Sequence, residues 1–139
     1  MIWGNARRVL LVRHSYGAEN WELPGGAAER DESVLETAIR EVREETGLDV
    51  VPNCLGGVYY VRSHNRHHFL FICRLAAADQ TPRPTSPEIT DCGFWPVRNL
   101  PRPISDFTIR RIQDALSPRA GLLPTDIASI TYLTQDDSE

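Results

Sequence analysis

One stretch, Gly26 to Leu48, constrains this chain more than any other: G-A-A-E-R-D-E-S-V-L-E-T-A-I-R-E-V-R-E-E-T-G-L. It reads as a glycine turn, a capped helix and a glycine stop. Asp31 and Ser33 are both N-cap types, and Ser33 with Glu36 forms a capping-box pattern, so the helix is predicted to begin near Val34. Gly47 is placed to end it in the left-handed conformation that glycine reaches at little cost. Leu35, Ala38, Ile39 and Val42 recur at helical spacing and predict one apolar stripe. Glu41, Glu44 and Glu45 stand at i, i+3 and i+4, so they share a face beside it.

That acidic face works against the helix, since like charges at i, i+4 oppose it by roughly 0.2–0.5 kcal/mol a pair. Arg40 and Arg43 are the cations close enough in sequence to offset it locally, and Arg40, one turn from Glu36 and Glu44, can orient a carboxylate and keep it ionised. Hard divalent cations offset clustered carboxylates better, because Mg²⁺ and Mn²⁺ prefer oxygen ligands. A solvated face of ordinary salt bridges is the competing reading for any glutamate-rich helix.

The flanking residues decide between them. The stretch fits Gly-x5-Glu-x7-Arg-Glu-U-x-Glu-Glu-x-Gly-U, with U a bulky aliphatic residue, at Gly26, Glu32, Arg40, Glu41, Val42, Glu44, Glu45, Gly47 and Leu48. The fixed residue types alone coincide by chance on the order of once per 10⁹ start positions. The pattern resembles a complete Nudix box. The preceding Trp21-Glu22-Leu23-Pro24-Gly25-Gly26 is similar to the approach to that box in many Nudix proteins, and Glu88-Ile89-x-Asp91 with Phe94-Trp95-Pro96-Val97 and Leu100-Pro101 resembles a downstream pattern of the family.

The resemblance implies a Nudix-type α/β/α sandwich, a mixed β-sheet between helices, in one domain over residues 1–139. It implies hydrolysis of a nucleoside diphosphate linked to another group, supported by Mg²⁺ or Mn²⁺ on Glu41, Glu44, Glu45 and the carbonyl of Gly26. It further implies that Glu88, on the loop ahead of a strand, turns toward the metals, so that Glu41, Glu44 or Glu88 takes the proton of the attacking water. Gly25, Glu32 and Gly47 are read as structural residues of the motif, and Arg40 as the group that orients its carboxylates. Arg13, Trp21 and Arg66 are the candidates for substrate contact, Trp21 either by stacking on a base or by packing in the core. Where many relatives carry glycine ahead of the Glu-Ser pair, this chain has Asp31, which alters turn shape or capping. A proline or tyrosine sixteen to eighteen residues past the box marks ADP-ribose or diadenosine polyphosphate hydrolases; here that window is His64, Asn65 and Arg66, and neither label fits. A nucleoside triphosphate or a modified nucleoside diphosphate is the substrate class that remains. A nucleotide-binding sensor without turnover and an RNA 5′-end pyrophosphohydrolase are the alternatives.

The rest of the chain adds little chemistry. With 139 residues, 41% hydrophobic and 24% charged, it suits one soluble core. A formal charge of −4 argues against a general nucleic-acid surface, DNA included, and no apolar run is long enough to cross a bilayer. Cys54, Cys73 and Cys92 lack any paired spacing and read as buried, reduced thiols of a cytoplasmic protein. The sequence does not give the oligomeric state; many relatives dimerise, and the resemblance admits a homodimer.

Arg8–Arg13 reads as a strand covered on both faces, after an opening shorter than relatives have. A strand is predicted over 49–63, interrupted at Pro52-Asn53 and Gly56-Gly57, and a buried one over 69–75. Between them His64, His67 and His68 lie in a polar hairpin tip; adjacent His67 and His68 would point opposite ways, which disfavours a zinc site. A helix is predicted from about Asp106 to Ala115, capped by Ser105 or Asp106 and stopped by Pro118, followed by a fraying tail from about residue 122.

Overall fold

The computed structural model describes residues 1–117 and 123–137. It is a mixed α/β fold, as the resemblance implies, but its strands form two mixed sheets rather than one. The strands are β1 (Arg8–His14), β2 (Trp21–Glu22), β3 (Val50–Val61), β4 (Arg66–Leu75), β5 (Ile89–Pro96), β6 (Ile104–Ser105), β7 (Thr125–Ile127) and β8 (Tyr132–Leu133), with helices α1 (Val34–Thr46) and α2 (Asp106–Leu116). One sheet runs β5-β1-β2-β6-β8 and the other β4-β3-β7; parallel pairing occurs at β2–β6 and β3–β7, antiparallel elsewhere.

β1 explains why two helices are needed. Its run Val9-Leu10-Leu11-Val12 is fully buried. Because side chains alternate across a strand, Val9 and Leu11 face the core under α2, with Phe107 and Ile112, while Leu10 faces the core under α1, with Val42 and Leu48. Each helix covers one face.

Residues 1–3 join the sheets. Ile2 bridges Cys73 of β4, Trp3 bridges Val9 of β1, and Leu10 donates its N–H to the Ile2 carbonyl at 3.0 Å. These residues therefore bridge the sheets through isolated pairs rather than through a strand.

β3 shifts register against β4 between Pro52 and Cys54 and again between Leu55 and Gly57, at the two predicted interruptions. The hairpin corrects the loop boundary: only Arg62–His64 turn, with Asn65 left-handed, and β4 begins at Arg66, so His67 and His68 are strand residues opposite Tyr60 and Tyr59. Phe69, expected to be buried, is exposed, and so is Cys54.

The tail is a further correction. Residues 123–137 are not frayed: β7 extends the second sheet alongside β3, β8 extends the first alongside β6, and Arg62 of the turn holds Asp126 with both a guanidinium fork and charge. Strands of two or three residues have no periodicity to read. Pro118 and residues 138–139 lie outside the described residues.

Candidate active site

α1 is built as its ends require. Ser33 is the N-cap, accepting from the Glu36 N–H at 3.0 Å while Glu36 accepts from the Ser33 N–H at 3.0 Å. Asp31 does not cap; it holds a left-handed backbone, φ 62°, where glycine costs less. Gly47 closes the helix at φ 74°. The buried face differs from the predicted stripe. Thr37, Val42, Glu45 and Thr46 are the buried residues, whereas Leu35 is exposed. A glutamate thus occupies the inner face of the helix.

Glu45 is 5% exposed, and its Oε1 accepts from the Gly25 N–H at 2.9 Å. Burial, above the repulsion of Glu41, Glu88 and Glu22, pushes its carboxyl up to about 8. Glu41 lies under Gly26 so closely that a Cβ there would stand 2.6 Å from Oε1, and any larger residue would push the carboxylate aside. Burial also raises the Glu41 carboxyl, more than its bond to Arg40 lowers it, and Glu44 and Glu88 add repulsion. Glu44 remains exposed, and its Oε2 accepts from Arg40 at 3.0 Å.

Arg40 ties these groups together. It forks onto Glu32 at 2.7 and 2.9 Å, reaches Glu41 and Glu44 from one nitrogen at 3.0 Å each, and donates to the Ala27 carbonyl at 3.2 Å. Arg40 therefore orients Glu32, Glu41 and Glu44, but not Glu36, which is spent on the cap. The Arg40 fork, with the Glu29 N–H and the Thr37 hydroxyl, holds the Glu32 carboxyl down to about 2. Glu32 is thereby committed to anchoring Arg40 and the loop.

Glu88 is brought in by the proline-bearing loop. Thr85 donates its N–H and hydroxyl to the carbonyls of Glu45 and Glu44, at 3.2 and 2.7 Å, which occupies acceptors left open at the end of α1. Ser15 then donates its N–H to the Glu88 carbonyl at 2.8 Å. Glu88 is exposed, its side chain has no hydrogen-bond partner among the described residues, and its charge is felt by Glu41, Glu45 and Tyr16.

The remaining candidates separate. Trp21 is buried, edge-on to Trp95 at 5.2 Å, so it packs the core rather than presenting a stacking face. Arg13 is turned onto the Glu19 carbonyl at 3.0 Å. Arg66 is exposed and lines a cleft of about 620 Å³ whose walls come from β4 on one side and β2, the 23–28 loop, α1 and α2 on the other.

That cleft contains residues the sequence did not single out. Glu22 accepts from the Leu23 N–H, Thr108 and Arg111 at 2.7, 2.8 and 2.6 Å, and Arg111 lies over the Phe107 ring at 4.0 Å. Tyr16, 55% exposed, stacks on His14 at 4.7 Å beside the acidic face. Glu22 stands within the Trp-Glu-Leu-Pro-Gly-Gly run, the one hint available. Arg111 and Tyr16 carry no local pattern.

Among the described residues, no three histidine, cysteine or acidic side chains already converge as a closed metal-binding set. The donor set nonetheless fits a divalent ion. Glu41 and Glu45 are oxygen donors, desolvated and mutually repelling, with Glu88 adding charge and Arg40 the cation in hydrogen-bond contact with the group.

The comparisons agree with this architecture. Residues 1–115 match the family model described as NUDIX domain, and the chain belongs to that family. It is 32% identical over 125 residues to the 8-oxo-dGDP phosphatase NUDT18 of Danio rerio, covering 83% of this chain and 36% of that protein. It is 31% identical over 109 residues to a MutT-like protein of Streptomyces ambofaciens, covering 78% and 68%. Among solved structures, a NUDIX hydrolase from Nitrosomonas europaea superposes with a TM-score of 0.74 at 20% identity, covering 92% of this chain and 76% of that one, a likeness of fold. The chain spans about a third to a half of the length of the first curated relatives it matches. The family generally uses divalent metal ions. No helix among the described residues is long and apolar enough to cross a membrane.

Proposed function

We propose that this chain hydrolyses the pyrophosphate bond of a nucleoside diphosphate linked to another group, with Mg²⁺ or Mn²⁺ as cofactor. The observation that carries the reading is the intact acidic face of α1, with Glu45 on the Gly25 N–H and Glu41 beneath Gly26. Glu41, Glu44, Glu45 and the Gly26 carbonyl are the groups that would hold the ions. When bound, such ions offset pyrophosphate charge and lower the pKa of water.

The chain's own residues do the rest. Arg40, anchored by Glu32, orients Glu41 and Glu44. Gly25 fixes one oxygen of Glu45, leaving the other to face a ligand. The proton of the attacking water passes to Glu41, Glu44 or Glu88; of these Glu88 is the one not engaged by Arg40, and its loop anchors leave the side chain free to turn. Arg66 and the cleft receive the organic part of the substrate.

A nucleoside triphosphate or modified nucleoside diphosphate suits this site, in line with the names of the relatives: an 8-oxo-dGDP phosphatase and, among the solved structures at 26% identity, a UDP-X diphosphatase. Three unpaired cysteines, one exposed, suit the reducing cytoplasm. The test is a Mg²⁺-supplemented turnover screen over nucleoside triphosphates, oxidised nucleotides, nucleotide sugars and dinucleoside polyphosphates, with Glu44→Gln as control. Turnover that vanishes in the variant supports the proposal. Tight binding of one nucleotide without turnover identifies a sensor instead.

A further inference from the structure

We propose that the hairpin end of the cleft binds a phosphoryl group carried by the moiety linked to the nucleoside diphosphate, with Arg66 as its principal contact. The proposal rests on the hydrolase reading above and narrows its substrate class.

The cleft wall is positively biased in a chain whose formal charge is −4. Arg66, Arg111 and all four histidines of the chain, His14, His64, His67 and His68, line it, against one carboxylate, Glu22. That carboxylate is already satisfied by Arg111, Thr108 and a backbone N–H. The Arg66 guanidinium has no ion pair and no hydrogen bond among the described residues, whereas that of Arg62, at the start of the same turn, is taken by Asp126. An unpaired guanidinium on a cleft wall is a donor fork suited to phosphate.

The two ends of the cleft differ in field. Tyr16 feels Glu88, Glu45, Glu22 and Glu41, the acidic face where the pyrophosphate is to be cleaved. His68 is held below its ordinary pKa first by burial and then by Arg111, with Glu22 opposing and His64 and Arg66 adding to the effect. A substrate laid along the cleft, its pyrophosphate at the Gly25–Gly26 loop, would extend its other moiety toward Arg66. A neutral sugar would gain only hydrogen bonds to uncharged hydroxyls there, whereas a phosphorylated one would exchange water for charge-assisted contacts.

The experiment uses two compounds that differ in that group alone, ADP-ribose and ADP-ribose phosphorylated on its terminal ribose. The wild-type protein is expected to favour the phosphorylated compound in kcat/KM by roughly ten-fold, the scale of one charge-assisted hydrogen bond. Arg66→Gln is expected to bring the ratio near unity, and Arg66→Lys to restore part of it. Equal handling of the two by the wild type, or a ratio unmoved in Arg66→Gln, overturns the proposal; a merely structural role for Arg66 would lower both substrates together. Calorimetric binding of the same pair, in chelator, reads the preference without turnover. A protein that hydrolyses neither compound but binds the phosphorylated one more tightly, with that preference lost in Arg66→Gln, would sustain this inference; the hydrolase reading falls separately, by absence of turnover across the whole nucleotide panel.

Discussion

At the scale of single residues, the buried carboxylate of Glu45 sets a conflict between stability and function. Its proton affinity in the folded chain, raised to about 8, exceeds the ordinary 4.5, so the folded state binds a proton that the unfolded chain releases. Stability is therefore unaffected below about pH 4.5, falls as pH climbs toward 8, and levels off above it. In chelator, Glu45→Gln should raise the melting temperature by a few degrees at pH 8, on the order of 1 kcal/mol, and by much less at pH 5, while removing turnover. Thermal melts at the two pH values check the direction. Arg40→Lys should reduce turnover by at least ~100-fold, since a lysine has no fork for Glu32 and cannot reach three carboxylates at once; steady-state kinetics decides it. Asp31→Gly should stabilise by ~0.5–1 kcal/mol by relieving the left-handed backbone, measured by urea unfolding. Residue identities in the motif were legible because they recur at fixed spacing. Their directions were not: that Glu45 turns inward depends on what packs against the helix.

At the scale of elements, the caps and breaks were the legible part. Ser33, Gly47, Ser105 and the two interruptions of β3 act through local backbone chemistry, which a sequence displays directly. α2, predicted from about Asp106 to Ala115, runs to Leu116. Ser33→Ala should cost ~1 kcal/mol by leaving the Glu36 N–H without its side-chain acceptor, and the loss should appear in chemical denaturation with an unchanged m-value. The short strands escaped notice for the opposite reason. β7 and β8 exist because β3 and β6 offer edges to pair with, and nothing within Thr125–Ile127 or Tyr132–Leu133 announces them. The proline-bearing loop is a similar case: its docking on the last carbonyls of α1, which brings in Glu88, is a tertiary event.

At the scale of the whole molecule, residues 1–3 bridge the two sheets, and side chains from both sheets line the cleft. Ile2 sits at the joint, fully buried between β1 and β4. Ile2→Ala should therefore cost about 2–5 kcal/mol, as a core substitution does, despite its place in the first few residues; a loss under 1 kcal/mol in equilibrium unfolding would show that the sheets are joined elsewhere. The sequence could not show that Ile2 joins the sheets, because its partner, Cys73, is distant in the chain.

The placement of the histidines has a practical consequence. The four imidazoles of the chain report on one region and on no other. Selective isotope labelling of histidine would give a four-line spectrum in which every line is sensitive to occupancy of the cleft. Because two of them come from adjacent positions on opposite faces of β4, the face of the strand that a ligand touches could be read from which lines move most, before any bound structure is available.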